Sequence, residues 1–260
     1  MKYTPNWLAL REDADARARD RRLIEQLGAA LSERTEPLIV DLGCGTGALR
    51  RALTNVAPAS ARWRMVDHDP DVLAVARERF PEADVLDLDL AEEIERAVAD
   101  ADCVAATAFY DLVSLDWLDR FVRLLPQDAI VYAALTYDGR EHWRPRHRDD
   151  ADVLEAFHKY QRRDIGFGPA LGPDAAAKLT QLLSERGWNV STADAWWRLD
   201  PDSEPELVNE LADGIAMGSE ASGVKAGAWR PFLRHSIEIG HLDILALPSD
   251  ENVQATPDSA

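Results

Sequence analysis

The sequence predicts an α/β protein, a doubly wound and mostly parallel sheet of about seven strands with helices on both faces. Three observations carry this. Apolar runs of strand length alternate with stretches of helical period through residues 38–135. A glycine-rich turn joins the first of those strands to the helix after it. The chain is long enough, at 260 residues and 46% hydrophobic, to bury a full core as one large domain or one domain with an insertion.

Residues 11–33 carry Leu23, Ile24, Leu27 and Leu31 on one helical face. Pro37 precedes Leu38-Ile39-Val40, a short buried strand ending in Asp41. Leu49, Ala52, Leu53 and Val56 then recur at helical spacing, and "RWRMVD" (62–67) is a second strand. Pro70 stands at a first helical position ahead of Val72, Leu73, Val75 and Ala76. "ADVLDLD" (83–89) is a third strand, 91–99 a short helix, and "DCVAATA" (102–108) a fourth strand. Leu118, Phe121, Val122 and Leu125 mark the next helix, and "AIVYAAL" (129–135) the fifth strand.

The pattern then changes. Residues 136–170 have weak apolar periodicity and many charges, with a short helix at 150–163, and are too long for an ordinary connection. A helix resumes at 173–186, a strand at 188–197, helices at 204–218 and 229–239, and a closing strand, "HLDILAL", at 241–247. The polar segment 249–260 is expected to be a disordered tail.

Charge and composition exclude several roles. With 47 acidic against 29 basic residues and a net charge of −18, the chain repels phosphate backbones, so nucleic acid is not expected as a partner. No run of eighteen apolar residues or secretory leader is present, which predicts a cytoplasmic protein without membrane partners. Cys44 and Cys103 form no disulfide framework, and the histidines have no metal-ligand spacing, so no metal is expected.

"LIVDLGCGTGALRRAL" is the most specific stretch. A strand runs into Asp41, then Gly43, Gly45 and Gly47, then an amphipathic helix. Glycines at alternate positions let the backbone turn tightly and approach a ligand. Their G-x-G-x-G spacing differs from the G-x-G-x-x-G of dinucleotide sites, which disfavours a nicotinamide dehydrogenase.

"VDLGCGTG" resembles the first motif of class I S-adenosylmethionine-dependent methyltransferases. The resemblance implies a Rossmann-like sheet whose last strand runs antiparallel, with S-adenosylmethionine as methyl donor and S-adenosylhomocysteine as product. It implies that Gly43, Gly45 and Gly47 cradle the methionine part of the cofactor and that Asp41 helps to hold its amino group. "RMVDHDP" resembles the second motif, so Asp67, with His68 beside it, is implied at the ribose hydroxyls. "DLDLAEE" resembles the third region, implying Asp89 with Leu90, or alternatively Asp87, at the adenine. "DADCVAATAFYDLVS" resembles the fourth motif, at the strand end beside the methyl group, which brings Thr107 into the cofactor set. The N-terminal "NWLALREDADARARD" is similar to a cofactor-covering helix, from which Arg11 or Arg17 could reach the cofactor carboxylate; an ordinary charged helix face is the competing reading. Arg51 lies outside the motifs and is expected to be indifferent to cofactor binding.

The acceptor should contact the segments that leave the strand ends, because ligands collect beyond the carboxyl ends of the strands. Asp111 is placed to orient or deprotonate an acceptor, unless it or Ser114 caps the following helix. The segment "TYDGREHWRPRHRDD" (136–150) packs four arginines and two histidines into an acidic chain, and is expected to line the acceptor. His147 and His158 are candidate catalytic residues; Tyr137, Arg140, Gln161 and Arg162 are candidate acceptor ligands, with His158, Gln161 and Arg162 on one face of a lid. Arginine forks suit a carboxylate, so a small anionic molecule, methylated on oxygen or nitrogen, is the expected substrate. The chain thus divides into an N-terminal helical cover (1–34), a cofactor-binding core (35–200 and 241–248) with an acceptor-side insertion (136–170), and a helical insertion (201–240) that covers the acceptor or makes a homodimer contact. A protein methyltransferase and a non-catalytic cofactor-binding module or partner subunit are the alternatives.

Overall fold

The computed structural model describes residues 4–249. Its described residues form an eight-stranded sheet in the order β3-β2-β1-β4-β5-β8-β6, with β7 paired to β8 off that path. The strands are β1 (Leu38–Leu42), β2 (Arg62–Asp67), β3 (Asp84–Asp87), β4 (Cys103–Thr107), β5 (Ile130–Arg144), β6 (Trp188–Asp194), β7 (Trp197–Leu199) and β8 (Ser236–Pro248). The pairs among β1 to β5 are parallel, and β8 runs antiparallel to β5, β6 and β7. The eighth strand arises because the run expected at 188–197 breaks at Ala195 and Trp196 into β6 and β7. The chain leaves β1 towards β2 and β3, then returns to add β4 on the other side. That reversal opens a crevice at the carboxyl ends of β1 and β4.

Helices α3 (Ala48–Ala52), α4 (Pro70–Arg79), α5 (Leu90–Val98), α6 (Leu115–Leu124) and α8 (Ala175–Glu185) connect the strands. One face of the sheet packs Ile94, Leu118, Phe121 and Leu179 over Val40, Val104 and Val131. The other packs Leu23, Leu27 and Leu31 over Ile39, Ala105 and Tyr132. The single helix expected at 11–33 is two, α1 (Pro5–Ala18) and α2 (Arg21–Ser32). Asp20 ends the first by capping the second, its side chain accepting the Leu23 N–H at 2.9 Å.

Two expectations fail beyond the fifth strand. Residues 136–144 are a continuation of β5 and not a loop; they pair with β8 from Thr136↔Leu242 to Arg144↔Ser236 across two register shifts. The first shift is a bulge at Leu135, whose φ is 54°. Its N–H donates to the fully buried Asp243 at 2.8 Å, and the same carboxylate accepts the Asp20 N–H at 2.8 Å. The helix expected at 229–239 is absent, because β8 already starts at Ser236 and Ile237 and Ile239 alternate into a core. That core lies beneath α7 (Asp150–Gln161) and α9 (Pro205–Ala221), where Trp143, Val153, Leu207, Ile215 and Trp229 pack together. The extended β5 and β8, with α1, α7, α9 and β7, form a cap beside the crevice.

Candidate active site

A cavity of about 490 Å³ fills the crevice, with walls from the carboxyl ends of β1, β2 and β4 and from α1 and α7. Its floor is mostly main chain. Cys44 N–H donates to Val66 O at 2.9 Å and Gly47 N–H to Cys44 O at 2.8 Å, which pins the turn to β2 and closes it before α3. Gly45 has φ 52°, and a Cβ there would fall 2.9 Å from Leu8 Cδ1, so only glycine keeps this stretch of backbone open to a ligand. Gly43 and Gly45 line the cavity. Gly47 sits behind it, with φ 83°, where a Cβ would strike Met65 and Phe80.

Two acids stand on this floor. Asp67 accepts the N–H groups of Gly45 (2.9 Å), His68 (2.8 Å) and Asp69 (3.0 Å), which fixes the carboxylate and leaves acceptor capacity mainly on Oδ2. Asp41 is 1% exposed, and its Oδ2 is buried without a hydrogen-bond partner. Burial, then the charge of Asp67, lifts its pKa to about 8 against the opposing pull of Arg19 and Arg51. Arg19 also donates to Thr107 Oγ1 at 3.3 Å from beneath.

His68, Leu90, Thr107 and Arg11 line the cavity as expected. Asp87 and Asp89 do not. Both are exposed, and Asp89 spends its side chain capping α5 through the Ala91 N–H at 2.9 Å. Arg17 pairs with Glu204 away from the cavity. Arg51 is not the bystander its position suggested: it donates to Thr46 O at 2.7 Å and grips Glu12 of α1 through two nitrogens.

Of the residues expected near an acceptor, Asp111 occupies a 3₁₀ turn (Tyr110–Leu112) after β4 and lines the cavity. Ser114 caps α6, so Asp111 is not needed there. The Asp111 Oδ1 is buried and unpartnered, and burial pushes the carboxyl up to about 6. Gln161 also lines the cavity with its side-chain oxygen buried and unpartnered.

The other expected acceptor residues lie elsewhere. Arg140 pairs with Asp138 and Asp194 and stacks 4.6 Å from the Trp196 ring. His147 packs against Phe232 at 4.8 Å between ring centroids, and its Nδ1 accepts the Asp149 N–H. Arg162 is exposed and pairs with Asp174 at 2.9 Å. Tyr137 and His158 form a chain behind the lining. The Tyr137 hydroxyl donates to Glu141 Oε1 at 2.5 Å and lies 2.8 Å from His158 Nε2, while Trp143 Nε1 donates to Glu141 Oε2 at 2.7 Å. Burial raises Glu141 to about 7. This chain ties α7 to β5.

The face that α7 turns to the cavity is Phe157, Tyr160 and Gln161, one step round from the expected His158, Gln161 and Arg162. Its signal was the apolar spacing Val153, Ala156, Phe157, Tyr160, which is i, i+3, i+4, i+7. Arg163, Ile165 and Phe167 extend the lining beyond α7. No sequence pattern singled out Ile165 or Phe167. Leu8 and Asp15 of α1 and Phe109 complete the wall.

A family model described as a methyltransferase domain matches residues 39–127. Trans-aconitate 2-methyltransferase of Klebsiella pneumoniae (strain 342) is 26% identical over 208 residues, which is 77% of this chain and 75% of that protein. The YcgJ protein of Bacillus subtilis superimposes with a TM-score of 0.55 at 12% identity, over 89% of this chain and 100% of that one. A protein of Deinococcus radiodurans does so with a TM-score of 0.51 at 16% identity, over 93% and 97%. Both structural likenesses concern the fold.

Proposed function

We propose that the chain is a class I S-adenosylmethionine-dependent methyltransferase, a reading supported by the methyltransferase-domain match and the Klebsiella relative, and that it methylates an oxygen or nitrogen of a small molecule held beneath the cap. The observation that carries this reading is the convergence of the glycine turn, Asp41, Asp67 and Asp111 on one cavity. The open main chain at Gly45 and the unpartnered Asp41 Oδ2 fit the cofactor's aminoacyl end.

Bound S-adenosylmethionine supplies an electrophilic methyl carbon on a sulfonium. The chain's own residues bind and orient. Asp41 accepts the ammonium, whose charge offsets the burial that lifts the carboxyl. Arg11, held by Asp15 through Nε and Nη2, turns its remaining edge to the cofactor carboxylate, with Thr107 alongside. Asp67 takes the ribose hydroxyls chiefly through Oδ2, on which the Gly45 N–H is the one donor shown, and His68 flanks it. Val72 and Leu90 give the base apolar walls. Asp111 and Gln161 face the acceptor, and holding it in line accounts for much of the rate. An Asp111 carboxyl near 6 is ionised at neutral pH and able to take a proton.

A second reading takes its acceptor from the Klebsiella relative, a carboxylate such as trans-aconitate, and is favoured by Arg163 on the lining. Calorimetry with S-adenosylhomocysteine, followed by mass spectrometry of an acceptor panel that includes trans-aconitate, tests both. Absence of heat with S-adenosylhomocysteine overturns the methyltransferase reading of the cavity.

A further inference from the structure

The cavity's charges are unevenly committed. Its lining holds five carboxylates (Asp15, Asp41, Asp67, Asp69 and Asp111) and two guanidinium groups, Arg11 and Arg163. Both arginines are partly engaged by the protein's own groups. Arg11 is gripped by Asp15 at 2.9 and 3.1 Å and lies 4.9 Å from the Trp197 ring centroid. Arg163 lies 3.5 Å from the Tyr160 ring centroid and donates to the Tyr160 carbonyl at 2.9 Å. The cations that could have served an anion, Arg140 and Arg162, are bound to acids outside the lining.

Two hydrogen-bond acceptors on this side are left uncommitted and buried. Asp111 Oδ1 and Gln161 Oε1 are both buried without a partner. Leaving such an atom unpaired carries a desolvation penalty, larger when it is charged, which a ligand N–H or O–H relieves. A ligand carboxylate brings no donor and sets a like charge against Asp111 where little water screens it. The remaining acceptor-side surface is apolar: Phe157, Ile165 and Phe167 face the space, with the Tyr160 ring beside them. Phe167 is braced edge-to-face by Phe109 and Trp117 at 5.8 and 5.6 Å, so this wall is firm.

We infer that the acceptor is an amine or a hydroxyl on an apolar, ring-sized body, its donor hydrogen bonded to Asp111, and that carboxylates are discriminated against. The inference rests on the methyltransferase reading and names the substrate class for that same site. In the transfer the lone pair of the acceptor nitrogen or oxygen forms the bond to the methyl carbon as the carbon–sulfur bond breaks. The electron pair of that bond stays on sulfur, and the acceptor's proton passes to Asp111 Oδ1 and on to water.

The test uses the whole protein loaded with S-adenosylhomocysteine, whose own binding is measured first; failure at that stage counts against the methyltransferase reading. Loaded protein is then titrated with 2-phenylethylamine, 2-phenylethanol, phenylacetate and trans-aconitate. The amine and the alcohol are expected to bind at least about tenfold more tightly than phenylacetate, roughly the worth of one buried charge-assisted hydrogen bond. Asp111→Asn should shrink the amine-to-carboxylate ratio about tenfold. Equal or tighter binding of either carboxylate, no binding by any of the four, or a ratio unchanged in a folded Asp111→Asn protein overturns the inference. Should the variant not fold, the wild-type ratio decides alone.

Discussion

The floor of the cavity is held by peptide groups, and its roof by side chains. On the floor, the turn after β1 is fixed by the Cys44 and Gly47 N–H bonds and by the three backbone donors that Asp67 gathers. On the roof, α1 is moored by Arg51 to Glu12 and by Trp197 Nε1 to Asp15 at 2.9 Å, and α7 by the contact of His158 with Tyr137. A main-chain cradle suits a ligand that never changes, because its geometry tolerates little substitution. A side-chain roof can be rebuilt residue by residue, which suits the half of the site that selects an acceptor.

The contrast can be broken by substitution. The largest effect is expected at the floor: Asp67→Ala removes the proposed ribose acceptor and frees three donors of the turn, so S-adenosylhomocysteine affinity should fall about a hundredfold or more by calorimetry. Next comes the meeting point of the two halves. Asp111→Asn should lower kcat about a hundredfold with a methylated acceptor as readout. Its carboxyl is raised to about 6, so the protonated, inactive form gains below that value. The wild-type rate should therefore rise with pH through about 6, and the Asn variant should lose that limb. Arg51→Ala unties the roof from the floor and is expected to weaken S-adenosylhomocysteine about tenfold, the worth of one hydrogen bond to a charged group. At the bottom of the scale, Arg140→Ala removes only exposed ion pairs and a stacked ring, so cofactor affinity should change less than about twofold and stability by at most about 1 kcal/mol in a urea melt. A large Arg140 effect on acceptor affinity would move the roof to β5 and away from α7.

The two regions were unequally legible. The floor is local: strand, turn and helix lie within residues 38–52, and its acids stand at strand ends that the apolar runs delimit. Asp89 shows the limit of that logic, since an acid at a strand end also caps a helix, and which use prevails depends on where the next helix begins. On α7, taking polar residues as the functional face misplaced it by one position, about 100° of helix rotation. The apolar residues that meet the cap core and the cavity set the true orientation.

By itself the sequence determined the alternation of strands and helices, the glycine turn after β1 and the carboxylates at the strand ends. These follow from hydrophobic period and from glycine conformations that few other residues adopt. Only the tertiary structure decided that residues 136–144 extend β5, because their pairing partner, β8, lies about a hundred residues further along the chain. It also decided which cations are spent. An arginine's reach is neutralised by whichever acid the fold brings beside it, and Arg140, Arg162 and Arg11 found Asp194, Asp174 and Asp15. Charge in a sequence is an inventory; the fold assigns its partners, and here it left Asp111 Oδ1 without one beside the cavity.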